Sequence, residues 1–178
     1  MNILLSYIFI FYIGCTFGWC LEVVYRRFTK SNTSRKWINP GFLVGPYLPL
    51  YGFGLCILFS LSRIGDEFFA SGILIKNIIV VVLMAVCMTL LELITGLVCI
   101  KRINVRLWDY SDEWKNYKGI ICPKFSAIWG ILGGIYYFLI DEYILSLVSW
   151  SSGDLLLTFA LGLFVGVFII DLGYGVLS

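Results

Sequence analysis

Residues 77–100 read NIIVVVLMAVCMTLLELITGLVCI, an apolar run in which Glu92 carries the only charge. At about 1.5 Å of rise per residue, a helix of this length covers the roughly 30 Å hydrocarbon core of a bilayer. The nearest cation along the chain, Lys101, lies nine residues beyond Glu92. The carboxylate would therefore lie roughly 13 Å from the membrane edge. An acid at that depth is costly unless it is neutral, paired or facing water, so the stretch predicts a membrane span with a polar group that needs a partner.

The composition is that of an integral membrane protein. Of 178 residues, 60% are hydrophobic and 13% charged, against about 25% charged in soluble domains, and the mean hydropathy is +0.93. The chain has no histidine, which removes the usual zinc, haem and imidazole-base chemistry, and it has no phosphate-binding glycine loop. We therefore expect no cofactor, no metal site, no ATP hydrolysis by the chain itself and no nucleic-acid partner.

Five apolar segments predict an all-α, polytopic transmembrane helical bundle that forms one integral membrane domain over residues 1–178. The segments cover residues 3–25, 40–61, 77–100, 125–140 and 155–177. The connections 26–39 and 101–124 hold five and six cations, so eleven of the thirteen Lys and Arg residues fall on one side. The positive-inside rule makes that side cytoplasmic and places the N-terminus outside. Basic loops on that side would contact anionic membrane lipids or a partner protein.

The second apolar segment opens with NPGFLVGPYLPLYGFG, residues 39–54, which contains three prolines and four glycines. Prolines remove backbone donors and leave carbonyls without helical partners. Within a membrane, irregular backbone persists only when it is buried in protein or lines a wet cavity. The pattern predicts a broken or re-entrant span that builds a polar site, with a Pro-kinked helix at the interface as the alternative. The candidate pathway residues of this segment are Asn39, Pro46, Tyr47 and Tyr51.

Three of the predicted spans carry an acid between apolar neighbours: Glu22, Glu92 and Asp171. Arg26 follows Glu22 at the i+4 spacing that brings two side chains together on a helix. Glu92 has no cation in its own helix, so its partner would be another helix, a ligand or a proton. Each acid also has a structural explanation, namely an interfacial ion pair for Glu22, a buried hydrogen bond for Glu92 and snorkelling for Asp171. Together with Arg26, the three acids are candidate residues of a substrate or ion pathway.

The chain contains a candidate internal repeat. Spans one and three each carry an acid and are each followed by a basic loop and a Gly/Pro-containing entry into the next span. An offset of 78 residues matches Gly41 to Gly119, Tyr51 to Trp129 and Gly52 to Gly130, whereas an offset of 83 matches Pro40 to Pro123 and Phe42 to Phe125. Both registers stay open, and either one would give a parallel two-span repeat plus a fifth helix, an arrangement that often places a site at the repeat interface.

Two features offer interaction surfaces. The third connection mixes aromatic and charged residues in LWDYS, residues 107–111, and would be either an interfacial docking element or a loop anchored by its aromatics. Glycine pairs at GxxxG spacing allow close helix packing, either within the chain or in a homo-oligomer. These pairs are Gly14/Gly18, Gly130/Gly134 and Gly162/Gly166.

Most of residues 14–134 resembles the CmpB-type family of bacterial ABC-transporter permeases. The resemblance is carried by GWCLEVVYR at 18–26, NPGFLVGPY at 39–47 and YGFG at 51–54, and by LWDYS at 107–111 with FS at 125–126 and WG at 129–130. The family name implies a permease that works with a separate ATPase subunit. The resemblance also implies a multi-pass protein of the bacterial cytoplasmic membrane.

These features predict a small membrane transport component in which Glu92, Glu22 and the broken second span line a polar pathway. One alternative is a membrane-embedded enzyme that acts on a lipid through intramembrane carboxylates, although a non-enzymatic role is favoured. Another is a non-transporting scaffold or assembly subunit whose acids pair with the helices of a partner.

Overall fold

The computed structural model describes residues 3–29, 32–68, 73–151 and 154–177. Apart from one isolated bridge between Tyr117 and Ile121, every regular element in these ranges is helical, as predicted. Lys30, one of the cations counted in the first basic connection, lies outside the described residues. The chain divides into two compact units, residues 1–53 with 148–178 and residues 54–147.

The described residues form five helices. These are α1 Ile3–Phe28, α2 Pro49–Phe68, α3 Ile73–Val98, α4 Pro123–Trp150 and α5 Leu155–Leu177. Helix α3 continues through a π-helical turn at Cys99–Ile103, and α4 contains another at Tyr136–Ile140. By length and composition, α1, α3, α4 and α5 can cross a membrane, while α2 has a shorter apolar stretch at Pro49–Gly65. The chain is therefore a polytopic, all-α membrane protein whose second apolar helix is the shortest.

Two predicted spans differ in extent from the helices observed. The second was predicted over residues 40–61, but residues 41–46 form a series of bends and α2 begins at Pro49. Proline suits the first turn of a helix, where its missing N–H would have no partner. The fourth was predicted to end at Ile140, yet α4 continues through Asp141 to Trp150. The prediction stopped at the first acid, whereas the helix accommodates that acid by burying and pairing it.

In the unit formed by residues 1–53 and 148–178, the bent segment is part of the core. Cys15, Leu43 and Tyr47 are buried together. Phenylalanines of α1 and α5 pack around them, and the rings of Phe11 and Phe168 lie 5.6 Å apart. Because this core encloses Leu43 and Tyr47, the segment meets the condition for irregular backbone at membrane depth.

In the unit formed by residues 54–147, small residues let α3 and α4 pack closely. A Cβ atom added at Gly133 would lie 2.9 Å from the Cβ of Met84, and one added at Gly130 would lie 3.4 Å from the Cβ of Ala85. The Gly130/Gly134 pair therefore serves packing within the chain. At Gly162 on α5, by contrast, an added Cβ would meet no atom of the described structure within 4 Å. A homo-oligomer stays a prediction.

Candidate functional site

Glu92 is buried in α3, with 3% of its surface exposed. The hydroxyl of Tyr110 donates a hydrogen bond to its Oε1 at 2.9 Å, and the indole N–H of Trp129 donates to its Oε2 at 3.1 Å. Within the described ranges, no cation forms an ion pair with this carboxylate. The acid is therefore solvated by two neutral donors, one from the third connection and one from α4.

The third connection is folded so that Tyr110 reaches Glu92. The backbone N–H of Tyr110 donates to the Gly119 carbonyl at 2.8 Å, and the Trp108 indole donates to the Ile120 carbonyl at 2.9 Å. The Tyr110 ring also stacks on Phe125, with ring centroids 4.1 Å apart and an interplanar angle of 7°. The aromatic residues of LWDYS thus anchor this loop, and a docking role for it stays a prediction.

Gly119 is required by the shape of this loop. Its φ is +66°, and an added Cβ would lie 2.6 Å from the Ser111 Oγ and 2.8 Å from the Asp109 Oδ1. Left-handed backbone strains residues that carry a Cβ, and here the carboxylate and hydroxyl also occupy the space. Gly119 therefore permits both the left-handed turn and the close approach of Ser111 and Asp109 to the backbone.

Asp109 organises the exposed side of the same loop. It accepts hydrogen bonds from the Ser111 hydroxyl at 2.5 Å and from the Ser111 backbone N–H at 3.0 Å, and it pairs with Arg106 at 2.5 Å. The Ser111 hydroxyl, the Ser111 backbone N–H and Arg106 hold the pKa of Asp109 below its ordinary value. Because the Asp109 side chain is 52% exposed, this cluster stabilises the turn only modestly.

Glu22 has a partner on its own helix and one on α2. Arg26 Nε donates to its Oε1 at 3.2 Å, which is the i+4 pair expected from the sequence. The Tyr51 hydroxyl donates to its Oε2 at 3.0 Å. An added Cβ at Gly18 would lie 2.2 Å from the Tyr51 Cγ, so this glycine makes room for the tyrosine ring.

Asp171 binds the bent segment that precedes α2. Its Oδ1 accepts from the Val44 N–H at 3.1 Å, and its Oδ2 accepts from the Gly45 N–H at 2.8 Å and the Tyr47 hydroxyl at 2.6 Å. Successive backbone N–H groups that converge in this way form an anion-binding concavity. Asp171 of α5 therefore accepts hydrogen bonds from backbone N–H groups of the proline-rich segment that have no helical partner.

Asn39 and Pro46 shape the two ends of the bent segment. The Asn39 side chain accepts from the Trp19 indole at 2.8 Å and donates to the Leu43 carbonyl at 2.8 Å. Pro46 is exposed, and the backbone turns tightly around it because the Tyr47 N–H donates to the Gly45 carbonyl at 2.9 Å. Such a three-residue turn suits the fixed φ of proline.

A fourth buried acid, Asp141, is absent from the sequence-based candidates. Its Oδ1 accepts from the Ser62 hydroxyl at 2.6 Å and from the Tyr136 hydroxyl at 3.0 Å, and its Oδ2 pairs with Arg63. Asp141 and Arg63 lie just outside the predicted spans 125–140 and 40–61, which end before these charged residues. The available signal was a cation just after the second apolar segment and an acid just after the fourth, at ends that the predicted topology places on the same side of the membrane.

A family model matches residues 9–176, which is nearly the whole chain. The chain belongs to the family described as "Putative ABC-transporter type IV". Membership confirms the CmpB-type resemblance, and it supports a general role in transport and association with other transporter subunits. Neither a curated protein nor a solved structure matches the chain.

Within this ABC-transporter family member, two of the acids share one local arrangement. Tyr51 and Trp129, which are 78 residues apart, each donate to the acid of the preceding long helix, Glu22 and Glu92 respectively. The glycine after each donor packs on that same preceding helix, Gly52 against Cys15 and Gly130 against Ala85. The paired contacts favour the repeat register of 78 over that of 83.

The acids of residues 54–147 do not meet at one point. Trp129, which binds Glu92, lies twelve residues before Asp141 on α4, a separation of roughly 18 Å along the helix. Within residues 1–53 and 148–178, Glu22 and Asp171 bind different partners. Within each unit, the acids therefore bind separate sets of partners.

Proposed function

We propose that the chain is a small, permease-like transport component of the bacterial cytoplasmic membrane, with a polar intramembrane site around Glu92. The observation that carries the proposal is the solvation of this buried carboxylate by two neutral donors and by no cation of the described residues. A carboxylate held in that way can take up a proton, a cation or a cationic group of a substrate without a large rearrangement of the residues around it. The family membership supports the transport part of the proposal.

Further candidate pathway residues lie within residues 1–53 and 148–178. Glu22, Arg26 and Tyr51 form one hydrogen-bonded set, and Asp171 binds Tyr47 and the backbone of the bent segment. Asn39 and Pro46 hold the shape of that segment. We propose these residues as part of the pathway because irregular backbone with satisfied donors is a common way to build a site at membrane depth.

We further propose that a separate ATPase subunit drives the transport. The basic connections 26–39 and 101–124, which the charge distribution assigns to the cytoplasm, would face that subunit. The test is affinity purification of the tagged chain from its host in mild detergent, followed by mass spectrometry and an ATP-hydrolysis assay. Recovery of a stoichiometric ATPase is expected, and recovery of the chain alone would refute the partnership.

The same preparation tests the role of Glu92. The Glu92→Gln variant should retain the ATPase in the complex but change its hydrolysis rate, because the substitution keeps two polar atoms and removes the charge. The matched control is Glu142→Gln, since Glu142 is an exposed acid of α4. Equal hydrolysis rates for the two variants and the wild type would contradict a functional site at Glu92.

One observation favours a second candidate, a scaffold or assembly subunit. Each of the four acids Glu22, Glu92, Asp141 and Asp171 accepts hydrogen bonds from its own unit, as expected of structural clamps. For a scaffold, the Glu92→Gln variant should lose the partner subunits along with its own stability. For a transport component, the partner subunit should still be recovered with the Glu92→Gln variant, and only the rate of ATP hydrolysis should change.

A further inference from the structure

The first basic connection contains a pocket in which Arg26 is the only lining residue that is also a proposed pathway residue. It has a volume of about 330 Å³, which is at the small end of ligand-binding cavities. Its polar wall is formed by Arg26, Thr29, Asn32, Thr33, Ser34 and Lys36. Two cations and three hydroxyls in one concave wall, with no acid among the lining residues, are suited to an anion that accepts several hydrogen bonds.

Asn32 holds the pocket in shape. Its amide donates to the Arg26 carbonyl at 3.1 Å and to the Lys36 carbonyl at 2.7 Å, and its Oδ1 accepts from the Lys36 N–H at 3.1 Å. The side chain is 8% exposed. The arginines outside the pocket, Arg27 and Arg35, each donate to the other's backbone carbonyl and close the loop. Residues 32–36 therefore form a turn that is held by its own hydrogen bonds.

Several donors of the wall are open to a ligand. Thr33, Ser34 and Lys36 are exposed, and their side chains make no hydrogen bond or ion pair with the described residues. An ammonium group and two hydroxyls at one opening can together coordinate the oxygens of a phosphate ester.

The surroundings of the pocket place it at the level of lipid headgroups. Trp37 and Phe28 are each 64% exposed, and Arg27 lies over the Trp37 ring with its guanidinium carbon 4.2 Å from the ring centroid. Tryptophan is enriched where headgroups meet the hydrocarbon core. The charge distribution assigns this connection to the cytoplasmic leaflet, which carries the anionic lipids.

We infer that this pocket binds the phosphate of an anionic phospholipid headgroup, with Lys36, Ser34 and Thr33 as direct ligands. Arg26 contributes a second positive charge while it remains paired with Glu22 at 3.2 Å. The exposed aromatic residues beside the pocket favour a lipid over a free phosphate, because the acyl chains would lie against them. The inference is independent of the proposed transport role.

The test is a thermal-unfolding titration of the full-length protein in an uncharged detergent. The probes are dioctanoyl phosphatidylglycerol, dioctanoyl phosphatidylcholine and inorganic phosphate. Phosphatidylglycerol should raise the unfolding midpoint at lower concentrations than the other two probes. Equal effects of both lipids, or binding of inorganic phosphate as tight as that of phosphatidylglycerol, would overturn the assignment to an anionic lipid.

Variants distinguish lipid binding in the pocket from general attraction of the lipid to positive surface charge. The Lys36→Gln variant should weaken phosphatidylglycerol binding about fivefold, the effect of one basic residue near a membrane surface, while Lys36→Arg should bind as the wild type does. The neutral change Ser34→Ala should weaken binding by a similar factor through loss of one hydrogen bond. The matched control is Lys101→Gln, at an exposed lysine of the other basic connection. An equal loss in that control would show diffuse attraction and overturn the site.

Discussion

The hydrogen bond from Tyr110 to Glu92 gives the most direct test of how the intramembrane acid is accommodated. The Tyr110→Phe substitution removes the hydroxyl that lies 2.9 Å from Glu92 Oε1 and leaves the ring free to stack on Phe125. The carboxyl group then retains one donor, the Trp129 indole at 3.1 Å. Because Glu92 is 3% exposed, water cannot readily replace the missing donor.

The expected cost follows from the desolvation of that oxygen. A buried polar group that loses its partner costs about 1–3 kcal/mol, so the free energy of unfolding should fall by about 2 kcal/mol. For a chain of this size, that loss corresponds to a decrease of about 4–8 °C in the unfolding midpoint. The measurement is thermal unfolding of the purified protein in one detergent at fixed pH.

A double-mutant cycle assigns the loss to this hydrogen bond. In the Glu92→Leu background no carboxyl group remains, so Tyr110→Phe should cost close to nothing. The matched control is Tyr143→Phe, because Tyr143 is 73% exposed and should not change the midpoint. If Tyr110→Phe were no more destabilising than this control, or equally destabilising with and without the carboxyl group, the hydrogen bond would not stabilise the protein.

Three further predictions test the close contacts and the polar loop. Gly18→Ala should destabilise the protein by about 1–3 kcal/mol through overpacking against a tyrosine ring, whereas the control Gly162→Ala should not, and equal unfolding midpoints would contradict the packing argument. Gly119→Ala should cost at least about 1 kcal/mol because of its positive φ, and unchanged thermal unfolding would refute the requirement for glycine. Because the folded-state pKa of Asp109 is lowered, its contribution is present above the unfolded pKa of about 3.9 and lost as pH falls through the lower folded value. Acid titration followed by tryptophan fluorescence should therefore show a loop transition that Asp109→Asn removes, and persistence of the transition in that variant would contradict the assignment.

Much of the fold could be predicted from local sequence. A run of twenty apolar residues has few options in a membrane other than a helix, so the positions of α1, α3 and α5 followed from composition alone. The proline-rich opening of the second segment likewise predicted backbone that is not helical. The bounds of α2 and α4 were harder to predict, because Arg63 and Asp141 lie within helices where they pair with each other and Asp141 also accepts a hydrogen bond from Ser62.

The acids of the candidate site could be predicted from the sequence, but most of the residues that bind those acids could not. Glu22 and Arg26 could be paired from their i+4 spacing, since that contact depends on one helix only. The partner of Asp171 lies more than 120 residues away in sequence, at Val44 and Gly45, and no local pattern indicates it. Asp141 was missed for the same reason, because its partners include Ser62 and Arg63, which are far from it in sequence.

The sequence by itself determined that this chain is a polytopic, all-α membrane protein with acids inside its spans, because hydrophobicity and helical period act over a few turns. Beyond the local pair of Glu22 and Arg26, only the tertiary structure decided which partners each acid has. The loop that turns at Gly119 places the Tyr110 hydroxyl within hydrogen-bonding distance of Glu92. The bent segment places two backbone N–H groups within hydrogen-bonding distance of Asp171. These contacts join residues far apart in sequence. They are favoured because a polar group buried in an apolar environment costs free energy unless it has a hydrogen-bonding partner.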